Sequence, residues 1–147
     1  MKATNVLTNE NKYDLLAGRV PLLINRFLSQ KLKANNIGLT REQWSVLAVL
    51  WKNDGCSQQQ LADATNRDKP SITRLVKEDF VIRKPHKTDR RTNLIYLTKK
   101  GKSIEQSVME VVNETIDQST EGLSQEQTLI IRDAFQLIYD NIKKYEK

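Results

Sequence analysis

Apolar residues recur along this chain at helical spacing almost from end to end. Leu16, Val20, Leu23 and Phe27 follow at intervals of four, three and four, and Leu15, Ile24, Leu28 and Leu32 widen the stripe. Gly18 and Pro21 interrupt it, which predicts a kink or a fresh helix start, because an interior proline removes a hydrogen bond and crowds the preceding turn. Asn36 or Gly38 ends the run. The stripe is wider than one neighbouring helix can cover and points to a partner chain.

Three later helices announce themselves through one local signal. Thr40 with Gln43, Ser57 with Gln60 and Ser124 with Gln127 each read S/T-x-x-Q, a reciprocal cap for a helix N-terminus. The first opens a helix with Trp44, Leu47, Ala48 and Trp51 on its core face, closed by Asn53-Asp54-Gly55. The second opens a short helix carrying Leu61, Ala62 and Thr65. Asp68 caps a further helix with Pro70 in its first turn, where proline costs little. There Ile72, Leu75 and Val76 point inward, leaving Lys69, Ser71, Thr73, Arg74 and Lys77 outside.

The period then changes. Phe80 to Arg83 and Thr92 to Leu97 read as two strands, joined by the basic loop Lys84-Pro85-His86-Lys87-Thr88-Asp89-Arg90-Arg91. Thr98 caps a long helix through Ile104, Val108, Val111, Val112 and Ile116. The last helix, after Ser124, sets Ile131, Phe135, Ile138, Ile142 and Tyr145 at alternating four and three, a heptad-like seam suited to another subunit. The expected fold is mainly α with a small β-hairpin wing: a winged helix-turn-helix flanked by terminal helices.

Charge sharpens this picture. Ser57 to Gly101 holds eleven Lys/Arg against five Asp/Glu, and its net +6 equals that of the whole chain. Clustered cations favour a polyanion, because phosphates release condensed counterions when neutralised. At 147 residues the chain is one domain's worth. It shows no bilayer-length apolar run and no signal-peptide pattern, so the expectation is a cytoplasmic protein with no membrane partner. A single cysteine, Cys56, excludes an intrachain disulfide framework and a cysteine-rich zinc site. No nucleophile–base set, phosphate-cradling glycine loop or metal-ligand cluster can be assembled, so no enzyme, cofactor or metal is expected.

LTREQWSVL, QLADAT, DKPSITRL, FVIRKPHKTDRR and LTKKG together resemble the MarR family of bacterial transcriptional regulators over nearly the entire chain. The resemblance implies a homodimer that binds double-stranded DNA at a pseudo-palindromic operator. Within a single domain spanning 1–147, it implies dimerisation helices at 1–38 and 102–147 around a DNA-binding lobe at 39–101. It also implies release by a small aromatic effector in many members, and cysteine oxidation in some. One departure stands out. The family usually has a longer stretch between the Thr-Arg pair and the first wing strand, with an apolar-x-x-apolar continuation and a Gly, whereas only five residues lie between Arg74 and Phe80 here, about four short. The gap is about one helical turn: the recognition helix ends early, or the chain lacks residues.

The expected DNA contacts are Lys69, Ser71, Thr73, Arg74 and Lys77 from the recognition helix, and Lys87, Asp89, Arg90 and Arg91 from the wing. Arginine can pair with both O6 and N7 of guanine, while a wing reaches backbone and minor groove. Asp89 is expected to orient Arg91 through a carboxylate–guanidinium pair, a job that Asp68 could share by resemblance. His86 reads as solvated or phosphate-facing. The favoured function is a ligand-responsive repressor. Its alternatives are a winged-helix protein-interaction module, which the basic loop disfavours, and a redox sensor acting through Cys56.

Overall fold

The computed structural model describes residues 6–16, 19–65, 69–89 and 91–146. Among them, eight helices and three strands follow in the order α1 (Asn9–Leu16), α2 (Arg19–Ala34), α3 (Arg41–Lys52), β1 (Cys56–Ser57), α4 (Gln58–Ala64), α5 (Lys69–Lys77), β2 (Val81–Pro85), β3 (Asn93–Leu97), α6 (Lys99–Ser103), α7 (Glu105–Ser119) and α8 (Gln125–Tyr145). All three S/T-x-x-Q pairs form reciprocal caps, at the starts of α3, α4 and α8. The N-terminal stripe is divided between two helices, and Pro21 falls in the first turn of α2, where its missing N–H has no intrahelical partner to lose.

Two of the helical runs end in left-handed closures. Asn36 adopts φ 59 after α2, and Ile37 N–H donates back to the Leu32 carbonyl at 2.9 Å. Asp79 adopts φ 68 after α5; Phe80 N–H donates to Leu75 C=O at 2.9 Å and Asp79 N–H to Val76 C=O at 3.1 Å. This pair of bonds closes the orphan carbonyls of a helix end, usually around glycine. α5 therefore closes directly after Lys77, and only Glu78, Asp79 and Phe80 separate it from β2.

Two compact units lie along the sequence, residues 1–115 and 116–147. In the first, Leu28 and Leu32 of α2, Val46, Leu47 and Leu50 of α3, Leu61, Ile72, Leu75, Val81, Ile95, Leu97, Val108 and Val111 form one apolar core. The buried stripe of α3 is thus Val46–Leu47–Leu50, with Trp44 and Trp51 half-buried at its margin. Lys31 Nζ meets Glu114 Oε1 at 2.9 Å, linking α2 to α7. Thr98 caps α6, and Ile104 separates that short helix from α7, where the sequence predicts one continuous helix. In the second unit no residue of α8 is buried, and Ile131, Phe135, Ile138, Ile142 and Tyr145 are all exposed.

The sheet has the order β1-β3-β2, antiparallel throughout. Register pairs Val81 with Leu97, Arg83 with Ile95 and Pro85 with Asn93. Cys56 and Ser57 pair with Ile95 and Leu94, forming a two-residue strand where the sequence predicts only a turn and a helix cap. Alternation puts Val81, Ile95 and Leu97 on the core face; Arg83, two residues after Val81, continues that face beyond the core.

Candidate nucleic-acid interface

α5 presents two chemically distinct sides. Ile72 and Leu75 are fully buried and Val76 half-buried, while Thr73, Arg74 and Lys77 are exposed. Ser71 departs from expectation: it is only 6% exposed, because it lies four residues before Leu75 and shares its buried side. Ser71 therefore does not belong to the outward set. Lys69 begins the helix, but its side chain, like Asp68 and Arg90 altogether, lies outside the described residues.

The wing and α5 are joined directly. Arg83 Nη2 donates to Thr73 Oγ1 at 3.2 Å, from the strand face that continues the core. Sequence reasoning missed Arg83, although the period-two alternation from Val81 places it there. The far end of α5 is also held. Lys100 Nζ donates to the Glu78 carbonyl at 2.8 Å and sits 4.3 Å from the Phe80 ring centre. The Thr98 hydroxyl reaches the Asp79 carbonyl at 2.6 Å, and Thr98 N–H donates to Phe80 C=O at 3.0 Å.

The wing turn is organised by its own side chains. His86 N–H donates to Thr92 C=O at 2.8 Å, closing the loop. The backbone N–H groups of Thr88 and Asp89 both donate to His86 Nδ1 at 3.2 Å, which makes Nδ1 the acceptor and leaves the proton on Nε2. The imidazole thus serves the turn through Nδ1. Asp89 is corrected as well. Its Oδ1 accepts from the backbone N–H of Arg91 at 3.1 Å and its Oδ2 from the Thr92 hydroxyl at 3.0 Å, so it shapes the loop through main chain and hydroxyl rather than through a guanidinium pair. Lys87, Thr88, Asp89 and Arg91 remain exposed around this frame.

The sequence model of the MarR family matches residues 39–92, from just before the cap of α3 through the wing loop. The HTH-type transcriptional regulator FarR of Neisseria gonorrhoeae is 30% identical over 103 residues, covering 67% of this chain and 70% of that protein. This chain belongs to the MarR family. Solved structures agree on the fold. A MarR transcriptional regulator from Methanosarcina mazei Go1 matches with a TM-score of 0.78 at 22% identity, over 95% of this chain and 94% of that one. Reduced AbfR bound to DNA matches at 0.73 and 24% identity, over 94% of each chain. Bordetella bronchiseptica BpsR, in a structure concerned with regulation of its DNA binding by 6-hydroxynicotinic acid, matches at 0.79 and 20% identity, over 92% and 99%.

In MarR terms, α4 and α5 are the helix-turn-helix and the β2–β3 hairpin is its wing; the chain is a DNA-binding regulator of winged-helix type. A cavity of about 650 Å³ opens between α2 and α3, with apolar Leu22, Ile37 and Leu39 beside three cations, Arg26, Lys33 and Arg41, and one carboxylate, Glu42. Cys56 is poorly placed for the redox alternative. It is 4% exposed, its thiol donates to the Asn53 carbonyl at 2.9 Å, and burial together with the Asp54 carboxylate pushes its pKa above the usual thiol value. A reactive thiolate needs the opposite environment. Among the described residues no helix is long and apolar enough to cross a membrane, and no His, Cys, Asp and Glu cluster could hold a metal ion.

Proposed function

We propose that this protein is a sequence-specific, ligand-responsive repressor that binds a pseudo-palindromic operator as a homodimer. The observation that carries the reading is the exposed Thr73–Arg74–Lys77 side of α5, buttressed from behind by Ile72 and Leu75 and fixed to the wing by Arg83. A helix so supported can enter a major groove and present Arg74 to base edges. Lys87 and Arg91 on the wing supply attraction to phosphate and minor groove, and Lys69 and Arg90 extend the same charge. The uncovered apolar residues of α8 support the homodimer. An effector with an apolar body and an anionic group suits the cavity between α2 and α3, and BpsR offers a precedent in its regulation by an aromatic acid.

The test is selection of bound sequences from a random DNA pool, followed by titration of the selected and random duplexes at several salt concentrations. Arg74→Ala is expected to cost about 1–3 kcal/mol on the selected duplex and far less on random DNA. Lys87→Ala is expected to weaken both alike. It should also lower the salt slope by about one for each phosphate no longer neutralised, twice that for a symmetric dimer. Equal losses for Arg74→Ala on both duplexes would refute the sequence-reading role.

A further inference from the structure

α5 has only nine residues, and an isolated helix of that length is marginal. Among its described residues two apolar side chains are fully buried, Ile72 and Leu75, and Leu75 is the last of them. Past Leu75 only Val76, half-buried, packs against the core before Phe80, so the last turn, which follows Arg74 and carries Lys77, is held by polar ties as well. One of these begins in a buried amide. Gln43 on α3 is 2% exposed. Its Oε1 accepts from Thr40 N–H at 2.9 Å and its own N–H donates to Thr40 Oγ1 at 3.2 Å, which completes the cap of α3. Its remaining group, Nε2, donates to Glu78 Oε2 at 3.1 Å, across 35 residues of sequence.

Glu78 is poorly suited to its own helix. A carboxylate just past a helix C-terminus opposes the partial negative charge of the last carbonyls, and beside a phosphate it would repel. Neither local preference nor DNA attraction accounts for it. The bond from Gln43 does. Glu78 N–H donates to the Arg74 carbonyl at 2.8 Å, so the residue that Gln43 holds is one hydrogen bond away from the backbone of Arg74.

We propose that Gln43 and Glu78 are positioning residues for DNA reading: the Gln43 amide fixes the C-terminal turn of α5 through the Glu78 carboxylate and so sets the aim of Arg74. This rests on the DNA-reading role proposed for α5. It extends that role to a residue on α3 and to an acidic side chain that charge alone would count against DNA binding.

Two substitutions at Glu78 separate aim from charge and leave the Thr40–Gln43 cap intact. Glu78→Gln removes the negative charge and keeps an oxygen that can accept from Gln43; Glu78→Ala removes both. Each variant and the parent chain are titrated against a selected operator and a random duplex, with thermal melting measured in parallel. Both variants should bind random DNA more tightly than the parent, since a repelling charge is gone. The operator-to-random ratio should stay near the parent value in Glu78→Gln. In Glu78→Ala it should fall by roughly tenfold, the scale on which a hydrogen bond to a charged group acts. A ratio unchanged in a folded Glu78→Ala chain overturns the proposal and leaves the DNA-reading role standing. A ratio lost equally in both variants also overturns it, because the charge itself would then be responsible. A parent chain with no operator preference overturns the underlying role and this inference together.

Discussion

The indole N–H of Trp51 donates to the main-chain carbonyl of Gly101 at 2.9 Å, joining α3 to α6 across fifty residues. Gly101 is also held close to Phe80, where a Cβ would run into the Phe80 carbonyl. Trp51→Phe should therefore cost about 1 kcal/mol, the worth of one hydrogen bond. Gly101→Ala should cost about 1–3 kcal/mol through steric displacement. Urea unfolding checks both, and an unchanged midpoint for Trp51→Phe would show that the bond contributes nothing.

Asp79 closes α5 in the left-handed region, where an L side chain is disfavoured and a carboxylate also faces the negative end of the helix. Asp79→Gly should raise stability by about 1 kcal/mol, with Asp79→Val moving it the other way. Equilibrium denaturation that ranks valine above glycine would contradict a left-handed closure at this position.

Cys56 holds its proton more tightly in the folded chain than free in water, since burial and Asp54 raise its pKa above the ordinary thiol value. The direction of the pH dependence follows from linkage. Stability from this group is complete below the ordinary thiol value and is lost as pH rises through the higher folded value. Alkylation at neutral pH should be slow for the folded protein and fast in denaturant. Fast, complete modification of the native chain would instead restore the redox alternative.

His86 is expected to act as the keystone of the wing turn. Replacing it by Ala leaves the Thr88 and Asp89 N–H groups without their acceptor. Tryptic cleavage after Lys87 and Arg91 should accelerate while the melting temperature of the core changes little. Cleavage as slow as in the parent chain would mean that the backbone alone holds the turn.

Phe135 is 57% exposed on α8 and Ile138 48%. If that seam meets a second copy, Phe135→Glu should weaken dimerisation by about 2 kcal/mol or more, as for a central interface anchor. Light scattering over a dilution series reads the mass directly. A parent chain that is monomeric throughout would remove the dimer from the proposal.

The readable parts of this fold were those whose chemistry is local. Each S/T-x-x-Q pair caps a helix using atoms three residues apart, so three helix starts could be placed from sequence. Ile72 and Leu75 were legible as a buried pair from spacing alone, and the same spacing, applied to Ser71, would have put it with Leu75. What escaped notice was made by partners distant in sequence. β1 is a strand only because β3 lies beside it. Gln43 could be read as half of a cap, but nothing local to it or to Glu78 announces that they meet. The roles of His86 and Asp89 depend on how the wing loop folds back on itself, which a run of basic residues does not reveal.

The wing strand β2 is an outer strand of the sheet, and an outer strand offers unpaired backbone groups to any passing chain. After Ile82 it runs Arg83, Lys84, Pro85, all exposed. Two cations repel a like strand approaching side by side, and proline has no N–H to give it. The opposite edge, β1, is only two residues long and gives little length for pairing. Neither edge therefore offers a long, flat row of free backbone groups to a second sheet, and edge-to-edge growth into fibrils is disfavoured. Replacing Lys84 and Pro85 together with Val and Thr would open the β2 edge, and its first symptom would be turbidity on storage.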